Sequence, residues 1–245
     1  GGGAGAVVSG VTSVSTGNHL ISIGQGGGAG ENGQRSSFNF NYANGGGFGG
    51  TYLDIGSPSD AQDYGPDYFE NIGSHGGAGA DSQRSTTGDY EYQQLNTFIN
   101  NGGVSTDGVF SGGGGGGGAG TKGSDTLTES TWKGGNGGDG ISIDLNPYDA
   151  RYYAAGGAGG GSGIAQTGSG GQGGGGSYLS VNGEANTGSG GAGNSELDVT
   201  KSSNAGSGGS GKIILKYLKD SPRLYDVDAK ATPLKIEYAQ VSDNE

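Results

Sequence analysis

His19 and His75 are the only histidines in the chain, and there is no cysteine. Proton transfer through histidine needs a carboxylate and a nucleophile placed within reach. Neither histidine has such a set spaced around it, so both are expected on the surface or in loops. Nine carboxylates stand against one basic residue, Arg84, between residues 51 and 110. Paired carboxylates are the residue types of a glycosidase acid and base, but such a pair works on a rigid, water-excluding scaffold, of which this segment shows no sign. No enzyme is expected. "GGNGGDGIS" (134–142) fits the nonapeptide of calcium-binding β-rolls, in which the ion sits between successive turns. One full copy is present where tandem copies are needed, so Asp139 is expected to be a surface residue of a glycine tract. "GSGGSGKI" (206–213) follows a phosphate-binding loop up to Lys212, but Ile213 replaces the magnesium-holding hydroxyl and a strand follows where a helix is required. No metal or cofactor is expected.

The remaining chemistry is that of recognition. Tyr52, Tyr64, Tyr68, Phe69, Tyr90 and Tyr92 are interspersed with Asp67 and Glu91, most closely in "DYGPDYF" (63–69) and "DYEYQQLNTF" (89–98). Tyrosine rings offer flat apolar faces to a sugar or protein, and carboxylates accept hydrogen bonds from hydroxyls. The same aromatics could instead form a small satellite core over the rest of the molecule, and both roles remain open.

Whatever positions these residues is not a conventional core. Leu, Ile, Val and Phe make up about 16 % of the chain, below the roughly 20 % at which such a core becomes doubtful. Glycine instead supplies 63 of 245 residues, and the net charge of −12 is modest for a disordered chain of this length. A sequence pI near 4.4 argues against nucleic acid as a partner. No apolar run approaches a membrane span, and without cysteine there is no disulfide or thiolate metal site. Methionine is absent, even at position 1, and no signal peptide is recognisable. The chain is therefore expected to start within a processed product or a longer polypeptide.

The glycines keep a period of three. Gly24, Gly27, Gly30 and Gly33 are in step, as are Gly134, Gly137 and Gly140, and Gly168, Gly171 and Gly174. That period suits an extended left-handed helix with three residues per turn and no internal hydrogen bonds. With glycine on two of three faces, neighbouring backbones can approach until they bond directly. Collagen shares the period but requires unbroken triplets and abundant proline, and only five prolines are present. Ordering glycine costs about 1–2 kcal/mol per residue, against a net gain of about 1 kcal/mol per hydrogen bond. One tract alone stays disordered; many tracts side by side can hold one another. "GAVV" (5–8), "HLISI" (19–23), "SSFNFNY" (36–42), "GISIDL" (140–145), "KIILKY" (212–217) and "LKIEYAQV" (234–241) are the candidate strands, and no segment has helical periodicity.

"HLISIGQGGGAGENGQRSSFNFNYANGGGFGG" resembles the first half of a glycine-rich domain common in structural proteins of phages and large viruses: a short strand, a glycine tract, a polar "SSF" strand and a second tract. "GGGGGGGAG", "GGNGGDGISI", "YYAAGGAGGGSG", "GQGGGGS", "ANTGSGGAG" and "GSGGSGKIILKY" resemble the second half, in order. The usual closing strand ends in Arg-Tyr; Lys216 and Tyr217 stand there. The resemblance spans most of residues 1–217. Tail-fibre adhesins of T-even-like phages are relatives in kind, with packed polyglycine helices carrying variable loops that touch the host. Two departures stand out: the strand that normally leads into the first tract is missing, and the 51–110 insertion is long.

The expected architecture is therefore non-helical, mostly irregular and β. Packed polyglycine II helices over residues 1–217 are joined by short strands, residues 51–110 project as an insertion, and the glycine-free residues 218–245 form an attachment tail. The resemblance implies a viral structural protein on the virion surface, foremost a tail-fibre or receptor-binding adhesin. Its partners would be a host surface glycan or protein and other virion or fibre subunits, with self-association possible. A capsid decoration or scaffold protein, or a secreted matrix or filament protein, uses the same physics without a receptor.

Overall fold

The computed structural model describes residues 1–12, 14, 17–39, 41–49, 74, 76, 96–105, 112–126, 133–144, 151–161, 167–178, 181–194, 205–219, 221–227 and 234–236. Its described part contains no helix, only short strands and irregular chain. The strands are β1 (Val7–Ser9), β2 (His19–Ser22), β3 (Ser36–Phe38), β4 (Asn41–Ala43), β5 (Asn96–Phe98), β6 (Ile141–Ile143), β7 (Arg151–Tyr153), β8 (Ile213–Lys219), β9 (Ser221–Val227) and β10 (Leu234–Ile236). They form the antiparallel pairs β1–β5, β6–β7 and β8–β9, and a four-stranded sheet in the order β10-β2-β3-β4.

Between the strands, the glycine tracts bond to one another through their backbones. The amides of Gly2, Gly3 and Ala4 donate to the carbonyls of Gly191, Gly47 and Gly117 at 2.9, 2.8 and 2.9 Å. Gly5 then returns to the first neighbour, at Gly188, and Ala6 to the second, at Asn44. Donor direction thus repeats every third residue. The 112–120 tract follows the same rule: Gly113, Gly116 and Ala119 donate to Gly160, Gly157 and Ala154, while Gly115 and Gly118 donate to Ser124 and Thr121. Its carbonyls rotate likewise. Gly113 and Gly116 accept from Gly135 and Gly138, Gly114 and Gly117 from Gly1 and Ala4, and Gly115 from Gly103. The tract is therefore enclosed by chain from 1–6, 100–105, 121–126, 133–140 and 154–161.

This spacing leaves no room for side chains. A Cβ on Gly116 would fall on the Gly2 carbonyl, and one on Gly157 on the Gly191 carbonyl, well inside the 3.0 Å that real Cβ atoms respect. Ala4, Ala119 and Ala154 form a buried cluster, flanked by Val7, Phe98 and Ile141. Ile21 is the largest fully buried side chain among the described residues. It sits on β2, opposite Phe38 of β3 and Leu234 of β10.

The strands depart from the sequence expectation in instructive ways. "SSFNFNY" divides into β3 and β4, because Asn39 takes φ 53° and turns the chain back, pairing Phe38 with Asn41. Asparagine tolerates this left-handed region better than most residues. β5, β7 and β9 carry little strand signal of their own; each exists as the antiparallel partner of a neighbour. Ala154, at φ 60°, turns the chain from β7 into the next glycine tract while its amide and carbonyl bond to Thr187 and Ala119. β8 runs through Lys219 and continues into the β9 hairpin, so strand structure crosses position 217, and β10 returns to pair with β2.

Candidate functional site

The insertion expected to carry recognition is attached to the lattice at its entrance, middle and exit. At the entrance, the amide of Phe48 donates to Asn32 Oδ1 at 3.0 Å. Midway, Ser74 is fully buried; its carbonyl accepts from Gly47 at 3.1 Å and its Oγ accepts from the Asn100 amide at 3.2 Å. Gly76 lies so close to the Phe48 carbonyl that no Cβ would fit. At the exit, β5 pairs with β1, Phe98 opposite Val7. Ser74 thereby divides the insertion into two segments. Tyr52, Tyr64, Asp67, Tyr68 and Phe69 belong to the first, and Tyr90, Glu91 and Tyr92 to the second; all eight lie outside the described residues.

At the lattice rim, asparagine and aspartate take over the work of a missing backbone neighbour. Asn136 Oδ1 accepts from the Ser169 amide at 2.9 Å, while the amide of Gly137 donates to the Ser169 carbonyl at 2.9 Å. Asp139 and Gly140 hold both polar groups of Gln172 in the same way, at 2.8 and 2.9 Å. Asn182 with Gly183 does so for Ser207, at 2.9 and 2.8 Å, and Asp125 with Thr126 for Val104, at 2.9 and 3.0 Å. Each pair is a two-point clamp on one residue of the adjacent tract. A short Asx side chain is the right length to mimic a carbonyl from one tract to the next. The sequence shows Asn136, Asp139 and Asn182 only as Asn-Gly and Asp-Gly dipeptides, which read as turn signals, and Asp125 stands before Thr126 with no such mark. Their spacing of three from 136 to 139 is the sign of the clamp.

The other sequence candidates take structural places. Asp139 is the clamp residue on Gln172, and among the described residues no three His, Cys, Asp or Glu are grouped to hold a metal. In the 206–211 stretch, Gly206, Gly208, Gly209 and Gly211 donate their amides to Ala192, Gly27, Ser189 and Gly24. The amides that a phosphate would need are thus engaged within the lattice. His19 Nδ1 lies 3.1 Å from Asn39 Oδ1, and its ring stands 5.9 Å from that of Phe38. His75 lies outside the described residues. Two cations rest on aromatic rings, Arg35 on Tyr42 at 4.6 Å and Lys212 on Tyr153 at 5.6 Å. The amino group of Gly1 donates to the Gly114 carbonyl at 2.8 Å, and burial lowers its pKa from 8.0 to about 5.

No curated protein and no solved structure matches the chain. A family model described as a glycine-rich domain matches residues 1–218, which takes in the whole backbone-bonded lattice from Gly1 to Gly211. This chain belongs to that glycine-rich domain family.

Proposed function

We propose that the tracts are three-fold polyglycine II helices and that the lattice they build is a display scaffold, a tail-fibre or receptor-binding component of a virion. The repeat of donor direction every third residue supports the helical assignment. The observation that carries the display reading is the anchoring of the 51–110 insertion to the lattice, by Phe48 before it to Asn32, by Ser74 to Gly47 and Asn100, and by β5 to β1. Binding residues on loops held by a rigid scaffold lose less entropy on engaging a partner. Tyr64, Asp67, Tyr68, Tyr90 and Tyr92 are the residues proposed to meet a host surface glycan or protein.

The test is binding of the full chain to glycan arrays and host cells, with each of these five residues replaced by Ala. Loss of binding by about tenfold or more, the size of one lost aromatic anchor, with an unchanged melting curve supports the reading. Unchanged adsorption for all five removes the receptor role and leaves the lattice as a spacer.

A further inference from the structure

The clamps juxtapose two groups that can react with each other. In an Asn-Gly pair the glycine nitrogen can attack the asparagine Cγ. Solvent base removes the N–H proton, the N–Cγ bond forms, the Cγ–Nδ2 bond breaks, and ammonia leaves with a proton. Water then opens the resulting succinimide to aspartate or isoaspartate. At Asn136-Gly137 and Asn182-Gly183 both reacting groups are engaged elsewhere. The Gly137 N–H is held by the Ser169 carbonyl at 2.9 Å and Asn136 Oδ1 by the Ser169 amide at 2.9 Å. The Gly183 N–H is held by the Ser207 carbonyl at 2.8 Å and Asn182 Oδ1 by the Ser207 amide at 2.9 Å.

We infer that Asn136 and Asn182 are latent deamidation sites that react only when their seam of the lattice opens. Of the two hydrolysis products, aspartate is accepted without loss of the clamp. Acceptance follows from Asp139-Gly140 and Asp125-Thr126, where a carboxylate already makes the same two-point contact at 2.8–3.0 Å. Isoaspartate, by contrast, adds a carbon to the backbone and shifts the three-residue step of every donor beyond it. Each conversion adds one negative charge to a chain of net −12.

Trypsin isolates the two sites, since Asn136-Gly137 is the one Asn-Gly pair of peptide 134–151 and Asn182-Gly183 that of 152–201. The full chain is incubated at mildly alkaline pH, folded or in urea, and both peptides are followed by mass spectrometry. Because reaction proceeds only from the locally opened state, deamidation in the folded chain is expected to be slower by about tenfold or more. Equal rates in the two conditions overturn the inference. Gly171→Ala places a Cβ on the Gly138 carbonyl and opens the first seam. It should accelerate Asn136 while Asn182 stays slow; acceleration of neither site counts against the inference. If this variant unfolds the chain, both sites speed up together and the folded-against-urea comparison decides alone. Asn136→Asp should keep the wild-type melting temperature where Asn136→Ala lowers it. An equal drop for both overturns the claim that the lattice accepts the product.

Discussion

At the scale of single residues, the missing side chain is the interaction. Gly116 and Gly28 look alike in sequence but differ in what a methyl group would meet: the Gly2 backbone for Gly116, the flexible end of Glu31 for Gly28. Gly116→Ala is expected to destabilise by about 3 kcal/mol or more, because the obstacle is backbone held on every side. Gly28→Ala should be neutral or stabilising by up to about 1 kcal/mol, through the lower entropy of the unfolded chain. Chemical denaturation of the two variants checks both. A second expectation concerns Gly1 in a chain that carries a free amino group there. The fold favours the neutral amine, with a pKa of about 5, whereas the unfolded chain takes up its proton near 8.0. Stability is therefore full above pH 8 and falls as the pH drops toward 5, by up to about 4 kcal/mol, each pKa unit being worth about 1.4 kcal/mol. Denaturation midpoints measured from pH 5 to pH 9 check that window. The glycine period was legible in the sequence where a tract runs on, as at 134–140, whereas at Gly30 and Gly174, with φ 74° and 99°, the chain turns instead. The clamps were not legible, because Asn-Gly has the same appearance at a turn, and only a neighbouring tract 33 residues away at Asn136 and Ser169 gives it a different use.

Elements were legible where their own residues decide them. β2 and β8 have β-branched or bulky apolar runs that favour strand in any context. β7 and β5 are three-residue segments whose conformation is imposed by β6 and β1. The division of "SSFNFNY" rests on a single φ at Asn39, which no periodicity reports. At this scale the clamps can be tested as connectors. Asn182→Ala leaves the Ser207 amide without its Oδ1 acceptor at a solvent-facing position. It should cost about 0.5–1.5 kcal/mol, the net worth of one hydrogen bond, and speed amide exchange locally at Ser207. Among the described residues, the backbone bonds between tracts all fall between residues 1 and 211. Deleting 228–245 removes β10 from the edge of β2, yet should leave exchange protection at Gly113, Gly116 and Ala119 unchanged.

For the whole molecule, stability rests on polar burial to a degree unusual for its size. The buried hydrophobic residues are alanines and Ile21 among the described positions, while the tracts bury amides and carbonyls. Exposing apolar surface raises the heat capacity of unfolding, and exposing polar surface lowers it. Calorimetry should therefore give a value well below the usual, about 12–15 cal/mol/K per residue. Because every tract is held by several others, protection across 112–119, 133–140 and 154–161 should be lost in a single transition. Rapid exchange throughout those residues in the native chain would contradict the lattice. The non-helical, glycine-built architecture was thus readable from composition and period. The register of one tract on another was not, since it is set by partners far apart in the chain. The proposed receptor residues rest on composition alone, and their testing belongs to binding experiments.

The bond from Gly2 to Gly191 also has a consequence during synthesis. That bond must wait for a partner made 189 residues later, roughly 10–40 s of translation at ordinary elongation rates of about 5–20 residues per second. Until then this segment has Asn44, Gly47 and Gly117 to bond but lacks its third neighbour. Having few greasy side chains to expose, it can wait without attracting other chains. A fold assembled from bare backbone is thus shielded from clumping in the very interval when it has no shape.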